Sequence, residues 1–518
     1  MPGVLALSPL ALVIVLLAVR VPTWISAAAG LLGSVVCALL AFPAPLAVFA
    51  VAGADYFPLV VEVALILLFG MMLAAILEAS GAMRALSGWV EATVPSRSIG
   101  VALVVFGIVP FAESVTGFGI GVTIGVPVLR HLGCSIRHSA LFGLLGLVAV
   151  PWGALGPGTT VAAALADLDV DALGLTTAWI NAIPIAVVLV AIIVLARPKP
   201  LSALGMATAA GLLWAGILAS NALLGMAPAG IVGSLLVIAG IGLPLSIRSR
   251  FAGMDRRLGR AVLPYATLTV GILLARELYA LVPSPLTDIV SSPPFWLAVA
   301  CLVAVLVARG RGRARRASAG PADDAGSDDE AETTGAARPT DAEAGETADA
   351  GDSGTDPDPA AASAKESLRP VAASAVRAWV PIGAATAAFM VMGWVMTTSG
   401  MSDAIGALVP AGLLLVTPWL TTVGAVLTGS NTGSNAMFSG TLASAADAAG
   451  APAMTVVAAG NVAGSFAALA APPRVAMSVQ LSGGTGADPR DGSWVLGRAA
   501  LIVAINALAV GLWLQFLG

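Results

Sequence analysis

Apolar residues fill long runs of this chain, and polar residues collect in the gaps between them. The runs are roughly 16 to 25 residues long and recur from one end to the other. A helix needs about 20 apolar residues to cross the hydrocarbon of a bilayer. The short alternating segments of a membrane barrel are absent. The pattern predicts spans near 4–19, 24–41, 57–78, 98–112, 139–165, 175–196, 201–219, 228–247, 262–282, 295–308, 374–398, 406–427, 452–471 and 494–516. This is an all-α polytopic membrane protein with about 14 spans.

Two stretches break the pattern in the same way. One runs Phe111-Ala-Glu-Ser-Val-Thr-Gly-Phe-Gly-Ile-Gly-Val-Thr-Ile-Gly125, the other Leu427-Thr-Gly-Ser-Asn-Thr-Gly-Ser-Asn-Ala-Met-Phe-Ser-Gly440. Each follows an apolar run and is crowded with small polar residues. Irregular backbone persists at membrane depth only where protein buries it or it lines a cavity. Each stretch therefore reads as the turn of a re-entrant hairpin, with returning segments near 117–130 and 432–446. After each hairpin comes an apolar span interrupted by Pro and Gly. The first interruption is Val150-Pro-Trp-Gly-Ala-Leu-Gly-Pro-Gly-Thr-Thr160. The second runs from Gly460-Asn-Val-Ala-Gly464 to Ala470-Ala-Pro-Pro-Arg474. Proline removes a helix hydrogen bond, so these spans are expected to break and leave free N–H and C=O ends inside the membrane.

Charge supports this count. Arg20, Arg84, Arg97, Arg130, Arg137, Arg197, Lys199, the 248–260 arginines and the 309–316 arginines all fall on one face, predicted to be cytoplasmic. Loops 42–56, 166–174, 220–227 and 283–294 face the other way and contain no Lys or Arg. The hairpin at 98–130 then starts and ends on the basic face, and that at 406–446 on the opposite face. Such halves are inverted repeats, an arrangement that puts substrate near the midplane where the repeats meet. The implied division is a first repeat over 1–196, connecting helices over 197–316, a linker over 317–367 and a second repeat over 368–518.

Composition adds one correction. The chain of 518 residues is 58% hydrophobic, with a net charge of −4. Residues 317–367 hold 14 of the 29 acids and only Arg338 and Lys365 among the bases, so the rest of the chain is basic. That stretch cannot bury enough apolar surface to fold and reads as a disordered, cytoplasmic acidic linker. The first run has no base before it and Arg20 after it, the pattern of a retained helix rather than a cleaved signal.

Glu113, just before Thr116, Gly117 and Gly119, is the candidate proton-coupling group. A carboxylate at membrane depth costs about 2.5–3.5 kcal/mol on insertion scales. The alternative role for Glu113 is to cap its own hairpin. Ser430, Asn431, Thr432, Ser434 and Asn435 offer hydroxyls and amides for a small hydroxy-carboxylate, or oxygens for Na⁺. Arg474 is either a carboxylate clamp or a loop arginine. Glu62 is a weaker coupling candidate. Glu277 is placed to pair with Arg276 or with a neighbouring helix, and Asn181 and Trp152 either line a cavity or pack. Cys37, Cys134 and Cys301 form no CxxC pair, and His131 and His138 share a basic loop, so no metal site is indicated. No Walker A motif, dinucleotide fingerprint or nucleophile–His set exists. The reading is therefore a carrier with no cofactor and no nucleic-acid partner, rather than an enzyme.

At these residues the sequence resembles the lactate permease family. Phe111 to Gly119 matches its Phe-x-Glu-Gly/Ser-x-x-Gly-Phe-Gly motif, and Thr428 to Phe438 its Thr-Gly-Ser-Asp/Asn-Thr-x-Ser-Asn-x-Leu/Met-Phe motif. The resemblance implies a plasma-membrane permease that imports lactate or a similar 2-hydroxy monocarboxylate by proton symport, and looser kinship with the ion transporter superfamily. Na⁺ coupling and an ion channel are the rivals, and homodimer formation is left open. The chain departs from the family after the second hairpin. Where the family often has Gly-Lys-Met-Ile-Ser-Pro-Gln, residues 467–473 read Ala-Ala-Leu-Ala-Ala-Pro-Pro. Ala468 stands at the lysine position, and Arg474 is the nearest cation.

Overall fold

The computed structural model describes residues 2–94, 96–117, 119–318, 368–409, 414–486 and 488–516. Nearly all of the stretch read as an acidic linker, from 319 to 367, lies outside the described residues. The described residues form helices and no strand. Eleven helices are long and apolar enough to cross a membrane, or twelve if the bent pair Pro285–Ser291 and Pro293–Arg309 makes one span. This is a multi-pass membrane protein, with fewer full-length spans than the 14 apolar runs predict. The runs at 4–19 and 406–427 become the shorter helices Pro2–Ala18 and Leu414–Thr428. Both are shorter than the about 20 residues that a typical span takes.

Both predicted hairpins form. The first has arms Arg97–Thr116 and Ile120–His131, the second Leu414–Thr428 and Asn431–Ala449. Both interrupted spans break. The first divides into Ile136–Leu155 and Pro157–Leu165, the second into Ala453–Ala470 and Pro472–Gly483. Local chemistry fixes these boundaries. Ser96, Ser135 and Ser430 cap helix starts by accepting from Ile99, His138 and Gly433 N–H groups, each worth about 1 kcal/mol. In the first hairpin a π-helical turn, Val104–Ile108, stands just before Pro110. The wider turn accommodates the bond that proline cannot make.

These pieces form the centre of the molecule. Arg97–Thr116, Ile136–Leu155 and Ala453–Ala470 are 94%, 89% and 83% buried, whereas Thr23–Ala41 is 28% and Pro200–Leu224 is 33% buried. The peripheral helices turn Leu and Val side chains outward, among them Leu39, Leu40 and Leu201. The packing is crossed. Pro157–Leu165, beyond the first break, lies against the returning arm of the second hairpin. Pro472–Gly483, beyond the second break, lies against the returning arm of the first hairpin and against Ile136–Leu145. The long helix Leu368–Thr398 supports this centre through Thr23–Ala41, Leu46–Ala79 and Asn431–Ala449.

Candidate functional site

The first hairpin turns at Gly117 (φ 72°) and Gly119 (φ 81°), a region that favours glycine. Phe118 lies outside the described residues. Glu113 is buried and closes the turn with its carboxylate. Oε1 and Oε2 accept from Gly119 N–H at 3.0 and 2.9 Å, and Oε2 also accepts from Gly121 N–H at 3.4 Å. The carboxylate thus occupies the positive end of the returning helix, where an anion is favoured. The capping role proposed for Glu113 from sequence is therefore present. Thr116 Oγ1 donates to Ala112 O at 2.6 Å and serves its own helix.

The first break lies against this turn. Ala154, Leu155 and Gly156 take φ of 49°, 66° and 82° in succession. For the two non-glycine residues this left-handed conformation costs on the order of 1–3 kcal/mol each. A side chain on Gly153 would sit 3.6 Å from Glu113 Cγ, and one on Gly117 would sit 2.7 Å from Ala154 Cβ. The turn and the break therefore meet through glycines.

Beyond the break, the chain reaches the second hairpin. A Cβ on Gly158 would lie 2.6 Å from Asn431 Nδ2 and 3.3 Å from Thr432 N. Asn435 Nδ2 donates to Gly158 O at 2.9 Å and to Asn461 Oδ1 at 2.8 Å. Asn431 Nδ2 also donates to Asn461 Oδ1, at 3.1 Å. Asn461 Nδ2 in turn donates to Thr159 Oγ1 at 3.0 Å and Thr177 Oγ1 at 3.2 Å. Asn461 is therefore the hub joining the second hairpin to the first break, a role that sequence reasoning missed. The available signal was one amide inside the apolar run Thr455–Phe466. Ser430 is used as a helix cap, and Ser434 Oγ donates to Thr421 O at 2.7 Å. Asn431 and Asn435 each keep a buried Oδ1 without a hydrogen-bond partner.

Arg474 touches both turns. Its Nη2 donates to Gly429 O at 3.0 Å, the carbonyl that ends the first arm of the second hairpin. Its Nε and Cδ lie 3.8 and 3.9 Å from where a Cβ on Gly119 would be. Arg474 is also in the first turn of Pro472–Gly483, where the helix dipole disfavours a cation. Gly429 O and the negative field of Glu113 favour the cation there, against the cost of its burial. Nη1 of Arg474 is buried and has no partner. Ala468 is fully buried in the short turn before the break. The structure thus gathers Glu113, Thr116, Gly117 and Gly119 at one turn, Ser430, Asn431, Thr432, Ser434 and Asn435 at the other, and Arg474 between them.

Other candidates fall elsewhere. Trp152 is wholly buried and Asn181 donates to Val148 O at 3.3 Å, so both pack. Arg276 pairs with Asp171 at 3.0 Å rather than with Glu277. Among the described residues no cluster of three or more His, Cys, Asp or Glu could hold a metal. A larger cavity of about 660 Å³ lies among Arg97, Arg130, Cys134 and His138, away from the two turns. There burial pushes the Cys134 thiol up against the opposing influence of Arg97 and Arg130.

Comparison with known proteins agrees with the motif resemblance. The family model for L-lactate permease matches residues 3–247 and 360–516, most of the chain. No curated protein matches it at a significant level.

Proposed function

Because the chain belongs to the L-lactate permease family, a family of transporters, we propose that it is a secondary carrier importing lactate, or a related small 2-hydroxy monocarboxylate, with a proton. The observation that carries this reading is the unpartnered Nη1 of Arg474, buried where the two hairpin turns and both breaks converge. A buried guanidinium nitrogen lacking an acceptor is costly, and a carboxylate supplies that acceptor. The unpaired Oδ1 atoms of Asn431 and Asn435 would accept from the substrate hydroxyl. In this reading Glu113 carries the coupling proton. Protonation removes the charge from this cap, weakens its hydrogen bonds to the Gly119 and Gly121 N–H groups and loosens the first turn. A bound proton and a bound carboxylate together lower the charge that must cross the membrane.

Inverted repeats are part of the proposal. The crossed packing of each post-break helix on the other half's hairpin supports them. So does the gathering of Arg97 and Arg130 around one cavity, while another draws Asp171, Met226 and Pro293 from loops without Lys or Arg. We assign the basic face to the cytoplasm and the protein to the plasma membrane. Na⁺ coupling is the second reading, favoured by the same unpaired amide oxygens, which are hard ligands. Purified protein in liposomes decides among these. An imposed inward pH gradient, without Na⁺, should drive labelled lactate above equilibrium. Accumulation that requires a Na⁺ gradient would replace proton with sodium coupling. Currents without accumulation would point to a channel.

A further inference from the structure

A second cavity, of about 190 Å³, opens beside the first break, and Leu155, Pro157, Thr160, Glu62, Asp171 and Arg276 line it. Asp171, Met226, Ala227 and Pro293 reach its rim from the loops without Lys or Arg, and Arg276 reaches it from the helix Arg256–Leu281. Asp171 organises this rim. Oδ2 accepts from Arg276 Nη2 at 3.0 Å, and Oδ1 accepts from Met226 N–H at 2.8 Å. Gly225 (φ 82°) has no room for a side chain because the Arg276 guanidinium fills that space, and the Met226 sulfur occupies the place of a side chain on Gly156. The ion pair is thus connected through Met226 to the strained break. On the far side of that break, Gly153 faces Glu113. The break thus borders the cavity on one side, through Leu155 and Pro157, and the proton-coupling candidate on the other, through Gly153.

The charges facing Glu62 are Asp171, Arg276 and Asp288, the last acting through space from the neighbouring helix Pro285–Ser291. With Glu62 ionised, three carboxylates face one guanidinium and a carboxylate ligand is repelled. With Glu62 protonated and Asp171 paired to Arg276, Asp288 alone still opposes the ligand, and the net negative charge is halved. We propose that this cavity is the outer vestibule of the transport path and that Glu62 is its proton-entry group, which must bind a proton before the substrate anion passes to the break. The inference rests on the carrier reading above.

Two measurements test it. In a variant with Cys37, Cys134 and Cys301 replaced by alanine, Thr160→Cys should react with a membrane-impermeant maleimide added outside intact cells. Failure to react from outside, in protein that still transports, overturns the vestibule. Labelling needs no substrate, so it fails or succeeds separately from the lactate assignment, which the liposome assay decides. In the parent, the KM for the anion should rise with outside pH by up to about tenfold per unit, the linkage of one proton. Glu62→Gln, a mimic of the protonated group, should flatten that rise, and Glu62→Asp should restore it. An unchanged pH dependence of KM in Glu62→Gln overturns the role of Glu62.

Discussion

Asn435 and Gly158 are 277 residues apart, yet Nδ2 of one donates a 2.9 Å hydrogen bond to the carbonyl of the other. The bond fixes the returning arm of the second hairpin onto the helix beyond the first break. It needs the close approach that Gly158 allows, because a methyl there would sit 2.6 Å from Asn431 Nδ2. Gly158→Ala should therefore displace the second turn. Uptake should fall tenfold or more, with a stability loss of about 1–3 kcal/mol, the usual range for overpacking. Gly205→Ala, at a glycine with nothing within 4 Å, is the control and should transport normally. Initial uptake rates with thermal unfolding check both.

Glu113→Gln keeps the shape of the cap but not its charge. One amide oxygen replaces two carboxylate oxygens, and the new NH₂ faces the Gly119 N–H. The loss should be about 1–3 kcal/mol of stability, the cost of an unsatisfied buried group. Accumulation of lactate against a gradient should disappear while the purified protein stays folded. Full pH-driven accumulation by this variant would remove Glu113 from the coupling mechanism.

Asn461 joins Asn431, Asn435, Thr159 and Thr177 in one buried network. Asn461→Ala would strip acceptors from two amides and a donor from two hydroxyls. The melting temperature should drop by an amount corresponding to roughly 2–4 kcal/mol, since unpaired buried groups cost about 1–3 kcal/mol each and their neighbours relax. Transport should fall with it. A parent-like melting curve would show that these amides find other partners.

Both hairpins and both breaks were legible in the sequence because Gly, Pro, Ser and Asn stand out against apolar runs. Glu113 stood out for the same reason, as an isolated charge. The identity of the hub was not legible. Asn461 is one amide in an apolar helix, and its value comes from Thr159 and Thr177, which sit about 300 residues away and meet it only in three dimensions. The partner of Arg276 was hidden for a similar reason. Glu277 is its neighbour in sequence, but adjacent residues on a helix do not face each other, and Asp171 does. Among the described residues eleven or twelve helices are long and apolar enough to cross, and the runs at 4–19 and 406–427 hold the shorter helices Pro2–Ala18 and Leu414–Thr428.

Ala154 occupies φ 49° next to Leu155 at 66°. Ala154→Gly should relieve the strain and raise stability by about 1 kcal/mol, net of the entropy that glycine costs. If strain at the break helps the protein switch between conformations, the same variant should transport more slowly despite being more stable. A lower melting temperature would mean that the Ala154 methyl, packed at Gly117, contributes more than its backbone conformation costs.

The account rests on Arg474 as the cation that receives the substrate carboxylate between the two turns. Its most direct test is equilibrium binding of labelled lactate to purified protein with Arg474→Gln, alongside the parent and Arg474→Lys. Charge-assisted hydrogen bonds contribute about 1.5–3 kcal/mol, so Arg474→Gln should weaken binding by about ten- to a hundredfold. Arg474→Lys should fall between the two, because it keeps the charge and loses the fork. Parent-like affinity in Arg474→Gln, in protein that remains folded, would contradict the account.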